Sequence, residues 1–288
     1  MKLLSPRSLE EALTLRAESG ARIFAGGTDI FPERATRRGW GDGREESFVD
    51  LFQIPGLNVI AREGGDWRLG CLVTWSDLIH ASLPPQFDGY RAAARDVGGV
   101  QIQNRGTLVG NICTASPAGD GIPCLIALEA RVELKSLRGT RLVPISEFIT
   151  ARRRTACEPD EIVTALLVPS RDNAVSAFRK LGARRYLVIS IAMASAVIET
   201  SPTERITRAR VAVGACSEVA QRLPALEAAM SGAKLDATLA DLVEEVHVQH
   251  LTPVDDMRSS AIYRREAAKQ IVRELLIALA SPQQAEAA

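Results

Sequence analysis

Apolar positions along this chain follow two periods, and the points where one gives way to the other predict its elements. Behind Ser8, the residues Leu9, Ala12, Leu13 and Ala17 recur at helical spacing, Ser8 and Glu11 stand as a capping box, and Gly20 closes the helix. Arg22-Ile23-Phe24 reads as a short strand stopped by Gly26-Gly27, and Phe48-Val49-Asp50-Leu51 as a second. Arg34 to Glu46, rich in charge and glycine, reads as a solvated loop between them. Asn58-Val59-Ile60 and Trp67 to Val73 flank Gly64-Gly65-Asp66 as the arms of an antiparallel hairpin, and a helix follows from Ser76. Tyr90 to Val97 and Ile122 to Ala130 have helical character, the second opening near Asp120 with Pro123 in its first turn. Arg131 to Lys135 and Arg141 to Val143 make a second hairpin around Arg138-Gly139-Thr140, and Ile162 to Val168 a last strand before Pro169.

Ser170 to Asn173 marks the best domain boundary. Beyond it lie a strand-like Ala177 to Lys180, an apolar run from Ile189 to Ile198 and the alternating Ala209 to Val213. Helices are then expected over Leu235 to Val248 and Ser259 to Leu279, the latter with Ile262, Ala267, Ile271, Val272, Leu275 and Leu276 at helical spacing. The expected fold is α+β in three parts: a small α/β lobe over 1–56, a second over 57–171, and an antiparallel sheet packed with helices over 172–288. Trp67 and Trp75 are assigned to the core, and the polar Pro282 to Ala288 is expected to fray.

Composition narrows the function classes. Lys and Arg number 35 against 35 Asp and Glu, so no electrostatic footprint for nucleic acid or an anionic membrane exists. Cys71, Cys113, Cys124, Cys157 and Cys216 are scattered, with no CxxC, which encodes neither a disulfide framework nor a zinc or iron–sulfur cage; they read as reduced thiols, mostly in the core. No apolar run approaches the roughly 20 residues that span a bilayer, and a cytoplasmic location is expected. His80, His247 and His250 read as solvated or structural, the last two on a surface helix.

Candidate chemistry lies in two glycine-bearing turns. Ala25-Gly26-Gly27-Thr28-Asp29 directly follows a strand, and Asn104-Arg105-Gly106-Thr107-Leu108-Val109-Gly110-Asn111 leads into Thr114-Ala115-Ser116-Pro117-Ala118-Gly119-Asp120. Glycine permits positive φ and a close ligand approach, so that successive N–H groups converge on an anion such as a diphosphate. The hydroxyls of Thr28 and Thr107 add donors. Either turn alone is an ordinary turn, whereas the pair favours a binding site. No GxGxxG opens a βαβ unit, and GxxxxGK[ST], GxSxG and HExxH are all missing.

On these residues, with Gln103 before the second turn and the late Arg258-Ser259-Ser260-Ala261-Ile262-Tyr263-Arg264-Arg265, the chain resembles the FAD-binding medium subunit of the molybdenum hydroxylases. This is the xanthine dehydrogenase and carbon monoxide dehydrogenase group, and the resemblance runs in order over nearly the whole length. It implies two N-terminal α/β subdomains of the vanillyl-alcohol-oxidase (PCMH) type and a C-terminal domain, with the flavin between them. It implies that the backbones of Ala25, Gly26, Gly27, Thr28 and Asp29 and of Thr107, Leu108, Val109, Gly110 and Asn111 hold the FAD diphosphate. Asp120 would contact the sugar-like portion, and Val97, Val163 and Lys180 would also touch FAD. Lys180 either stabilises the negative charge of reduced flavin or is a surface lysine at a strand end. Val188 and Ile189 line the ring or belong to the core. The family usually has two glycines before the asparagine, and Val109 replaces the first. A β-branched residue takes positive φ only with strain, so this position is either extended or the loop has shifted.

The resemblance further implies an electron-transfer role, with no catalytic residue and no metal in this chain. A large partner subunit with a molybdopterin cofactor would oxidise the substrate, and a small partner would pass electrons through two [2Fe-2S] clusters to the FAD, which hands them to a terminal acceptor. The implied assembly is a dimer of heterotrimers. A self-sufficient flavin oxidase of the broader superfamily and a flavin-free assembly module of the same fold are the other readings. The family's thioester-reducing branch has a cysteine-rich insertion that this chain lacks.

Overall fold

The computed structural model describes residues 1–280, and the expected fraying of Pro282 to Ala288 lies outside them. The chain opens with a parallel sheet in the order Lys2–Leu4, Ser47–Asp50, Arg22–Phe24, with Leu3 and Arg22 flanking Phe48. The helix Leu9–Ser19 connects the two outer strands: the Ser8 hydroxyl accepts from the Glu11 N–H at 3.1 Å, and Gly20 closes it at φ 61°. The helix Ile30–Gly39 takes the first part of the segment Arg34 to Glu46 expected as a solvated loop, and only the part from Trp40 on is irregular. The inner face of this helix is made of charge. Arg34 is 9% exposed and sits 5.9 Å above the Phe48 ring, and Arg34 and Arg37 converge on Glu46. Cation–π and ionic contacts thus replace the apolar stripe by which periodicity recognises a helix.

A five-stranded antiparallel sheet follows, in the order Ile60–Glu63, Asp66–Gly70, Ile162–Pro169, Arg131–Ser136, Gly139–Pro144. Both expected hairpins are present, and the expected last strand joins them at the centre, where Ala165 faces Gly70 on one side and Glu133 on the other. Arg68 and Glu133 pair through two bonds of 2.8 and 2.9 Å from the strands flanking that centre. The helices Trp75–His80, Asp88–Asp96 and Gly121–Ala127 pack into the core with this sheet, and there Trp75 meets Tyr90 edge to face at 5.8 Å. Trp67 departs from the expectation: it is half-buried, its ring edge-on to Phe87 at 6.0 Å on the margin of the core.

The last part is an antiparallel meander, Ala174–Leu181, Ala192–Thr200, Ile206–Gly214 and Gln221–Arg222, covered by the helix Ala261–Ala280. Ala267, Ala268, Ile271, Val272, Leu275 and Leu276 of that helix are buried in this core; Ile262, assigned to the same stripe, is 82% exposed because it stands in the first turn, ahead of the packed face. The helix expected over Leu235 to Val248 is two 3₁₀ turns, Ala237–Leu242 and Glu245–His247. Asp236 accepts from the Thr238 N–H at 3.0 Å and the Glu244 N–H donates to His247 Nδ1 at 3.0 Å, so side chains close the turns locally where a longer helix needs the backbone. His247 is accordingly buried and structural, off any surface helix, while His250 is exposed.

An ionic cluster fastens this meander to the central sheet. Glu129 receives Arg171, Arg208 and Arg210, and Glu199 receives Arg171 and Arg210. Cys71, Cys124 and Cys216 are buried and Cys157 is half-buried, in line with thiols mostly in the core, while Cys113 is exposed. Among the described residues no helix is long and apolar enough to cross a membrane.

Candidate functional site

The first glycine turn links the strand Arg22–Phe24 to the helix Ile30–Gly39. Gly27 holds φ +71°, and a Cβ there would lie 2.9 Å from the Phe24 ring and 3.0 Å from Phe31. Only glycine satisfies both the left-handed backbone and the space. The second turn is positioned by bonds to the segment before Trp75: the Trp75 N–H donates to the Gly106 carbonyl at 3.1 Å and the Leu108 N–H to the Val73 carbonyl at 3.0 Å. Thr107 then caps the helix Leu108–Thr114, its Oγ1 accepting from the Gly110 N–H at 2.9 Å. A Cβ on Gly110 would sit 2.8 Å from that same oxygen.

Val109 is not extended. It is the second residue of the helix Leu108–Thr114 and has no positive φ, so a β-branched side chain is accommodated there without strain. The backbone at this position therefore demands no glycine, and the Val109 side chain lines the larger chamber described below.

The two turns meet through their backbones. A Cβ on Gly26 would fall 2.0 Å from the Arg105 carbonyl oxygen and 3.1 Å from Gly106 Cα. A polar bond ties the same pair of segments, since the Thr114 hydroxyl donates to Asp29 Oδ2 at 2.5 Å. Two chambers open along this seam, of about 620 and 390 Å³. Ala25, Gly26, Gly27, Thr28, Asp29, Val97, Thr107, Val109, Gly110, Asn111 and Val163 line the larger one. Asp120 and Lys180 line the smaller, with Leu187, Val188 and Ile189. Leu108 lines neither; its side chain is fully buried, leaving only its backbone near the site.

Lys180 is not a surface lysine. Its side chain is 8% exposed and its ammonium donates to Asp120 Oδ2 at 2.6 Å and to the Asp96 carbonyl at 3.3 Å. The Ser190 hydroxyl donates to Asp120 Oδ1 at 2.5 Å. Burial pushes the Asp120 carboxyl above its ordinary value, while Lys180 and Ser190 oppose that rise. Lys180 and Ser190 bracket the loop that carries Leu187, Val188 and Ile189, so Asp120 anchors both ends of one wall of the smaller chamber. Ile189 is half exposed, which settles it outside the core.

Sequence reasoning overlooked Ser190, Thr114 and Arg153. Ser190 and Thr114 act through partners 70 and 85 residues away, and no local pattern announces such a contact. The glycine turns also leave polar groups for a ligand. The Asn111 Oδ1 is buried without a hydrogen-bond partner, and the N–H groups of Gly26, Gly27 and Thr28 meet no acceptor among the described residues. Such groups are costly to bury unless something bonds to them, and they match the oxygens of a diphosphate and the hydroxyls of a nucleotide sugar chain. None of the three histidines lines either chamber, and among the described residues no group of His, Cys, Asp or Glu is arranged to hold a metal ion.

Residues 1–171 match the family model described as the FAD binding domain in molybdopterin dehydrogenase, and residues 176–279 that of the CO dehydrogenase flavoprotein C-terminal domain. The chain is 29% identical over 279 residues to the nicotine 6-hydroxylase medium subunit of Paenarthrobacter nicotinovorans, covering 96% of each chain. It is 29% identical over 286 residues to the nicotinate dehydrogenase FAD-subunit of Eubacterium barkeri, covering 96% of this chain and 95% of that one. Among solved structures, the reconstituted CO dehydrogenase from Oligotropha carboxidovorans superposes with a TM-score of 0.86 at 26% identity, over 97% of each chain.

Proposed function

This chain belongs to the family of FAD-binding subunits of the molybdopterin dehydrogenases, and from that membership we propose that an extended FAD lies along the seam with its diphosphate between the two glycine turns. The observation that carries this reading is the backbone contact of Gly26 with Arg105, which brings two sets of uncommitted polar groups onto one line. Gly26, Gly27, Thr28 and Thr107 would hold the diphosphate through their N–H and O–H donors, the Asn111 Oδ1 would accept from a hydroxyl of the cofactor, Val97 and Val163 would form apolar walls of the larger chamber, and Asp120 would meet the sugar-like chain. Lys180, with Val188 and Ile189, would border the flavin in the smaller chamber.

When bound, FAD supplies the redox chemistry. The chain itself binds and orients the cofactor and leaves one side of it open to partners. We infer that electrons arrive from the [2Fe-2S] clusters of a small partner subunit, supplied by a large molybdopterin-bearing subunit, and leave to a terminal acceptor. Relatives named as medium and FAD subunits support partner subunits of this kind. A dimer of such heterotrimers, a cytoplasmic location and the division 1–56, 57–171 and 172–288 complete the proposal. Purifying the chain alone and recording its visible spectrum tests it. A yellow chromophore released by acid is expected, and a colourless protein that refuses added FAD would overturn the reading.

A further inference from the structure

We propose that Arg153 is the cationic clamp for the diphosphate of the bound dinucleotide, an assignment that rests on the flavin reading above. Asp29, Val97, Asn111, Thr114 and Arg153 border both chambers and so form the waist between them. A dinucleotide running from one chamber into the other places its linking diphosphate at this waist. Two phosphate charges then meet the Asp29 carboxylate, and backbone N–H groups bring only partial positive charge against them. A full cation is needed at that point.

Four cationic side chains line the chambers: Arg16, Arg22, Arg153 and Lys180. Three are committed elsewhere. Arg16 donates to the Ala21 carbonyl at 2.5 Å, Arg22 pairs with Glu33 at 3.2 Å and Glu46 at 3.1 Å, and Lys180 pairs with Asp120. The Arg153 guanidinium has no hydrogen bond or ion pair with any described residue. Its backbone, by contrast, is firmly placed. Arg153 takes a left-handed φ of 55° in the tight turn between Ile149–Ala151 and Arg154–Thr155, and its N–H donates to the Ala115 carbonyl at 2.8 Å. Ala115 is itself left-handed, at φ 48°, and ends the helix that starts at the second glycine turn. Strained backbone of this kind is retained where neighbours over-determine it, and here it ties the arginine turn to the segment bearing the diphosphate donors. The planar guanidinium matches phosphate oxygens in pairs, which a lysine in its place would not.

The test titrates the deflavinated full-length subunit with FAD and with riboflavin, which has the ring but no phosphate, following the quenching of flavin fluorescence. Arg153→Gln is expected to raise the Kd for FAD about tenfold or more and to leave riboflavin binding within about twofold. Arg153→Lys should fall between, and added salt should weaken FAD binding to the wild type more than to Arg153→Gln. An FAD Kd in Arg153→Gln within twofold of wild type would overturn the assignment, as would an equal loss for FAD and riboflavin. Should Arg153→Gln fail to fold, the same comparison with Arg153→Lys decides. A wild type that binds neither compound would overturn the flavin reading itself, a result distinct from loss of the clamp.

Discussion

Gly26 rests on the carbonyl oxygen of Arg105 so closely that a methyl group on its α-carbon would lie 2.0 Å from that oxygen. The obstacle is backbone, which cannot rotate aside as a side chain can. Gly26→Ala is therefore expected to push the two turns apart, costing at least about 2–3 kcal/mol in urea unfolding and abolishing measurable FAD binding. Gly39→Ala is the control, because nothing lies within 4 Å of the added group and no positive φ is required; it should change stability by less than about 0.5 kcal/mol. Equal stabilities for the two variants would mean that the turns do not touch.

The bond between Lys180 and Asp120 joins the meander to the start of the helix Gly121–Ala127. Both side chains are 8% exposed, so deleting one partner strands the other as an uncompensated buried charge. Asp120→Ala should cost about 3–5 kcal/mol, whereas adding Lys180→Met to it should restore much of the loss. A double-mutant cycle on thermal unfolding measures the coupling. Strictly additive costs would show that the pair contributes nothing as a pair.

Which parts of this arrangement a reader of the sequence can see follows from how local their causes are. Gly26, Gly27 and Gly110 were legible because glycine alone tolerates the approaches found there. The central strand Ile162–Pro169 and the two hairpins were legible because burial on a pleated sheet leaves its period in the chain. The helix Ile30–Gly39 was not, since Arg34 and Arg37 face inward only because Glu46 and Phe48 are there to meet them. The 3₁₀ turns after Asp236 were misread for the opposite reason: Leu239, Val243 and Val248 carry apolar spacing, but Asp236 and His247 intercept the backbone donors. Ser190 and Arg153 gain their meaning from partners or cavities assembled by distant segments, and no window of sequence contains those.

Glu129 sets a pH dependence. Burial disfavours its charged form, but hydrogen bonding to Arg210 and the charges of Arg208 and Arg171 outweigh that and hold the carboxyl below its ordinary value of 4.5. A carboxyl depressed on folding adds stability that is present above its unfolded value and is lost as pH falls through the folded one. The window therefore runs downward from about pH 4.5. Glu129→Gln is expected to cost about 3–5 kcal/mol at pH 7, because the fully buried Arg210 keeps only Glu199 as partner. Its melting temperature should also fall less than that of wild type between pH 5 and pH 3. Parallel profiles for the two proteins would contradict the role given to Glu129.

Asn111 separates ligand binding from folding. Its Oδ1 is buried with no partner, a state that costs about 1–3 kcal/mol in a protein without ligand. Its amide lies where Cβ atoms on Gly119 and Gly121 would come within 3.2 and 3.0 Å, so the glycines leave just the room the side chain takes. Asn111→Ala removes the stranded oxygen along with the packing, and the two effects offset each other: stability of the ligand-free chain should shift by less than about 1 kcal/mol. FAD binding should weaken about tenfold, since the group that meets the cofactor is gone. Thermal melts with and without excess FAD read both quantities, because a ligand raises stability by RT ln(1 + [L]/Kd). The wild type should gain about 1.4 kcal/mol more from saturating FAD than the variant does. A variant that is destabilised equally in both conditions would make Asn111 a packing residue and remove it from the site.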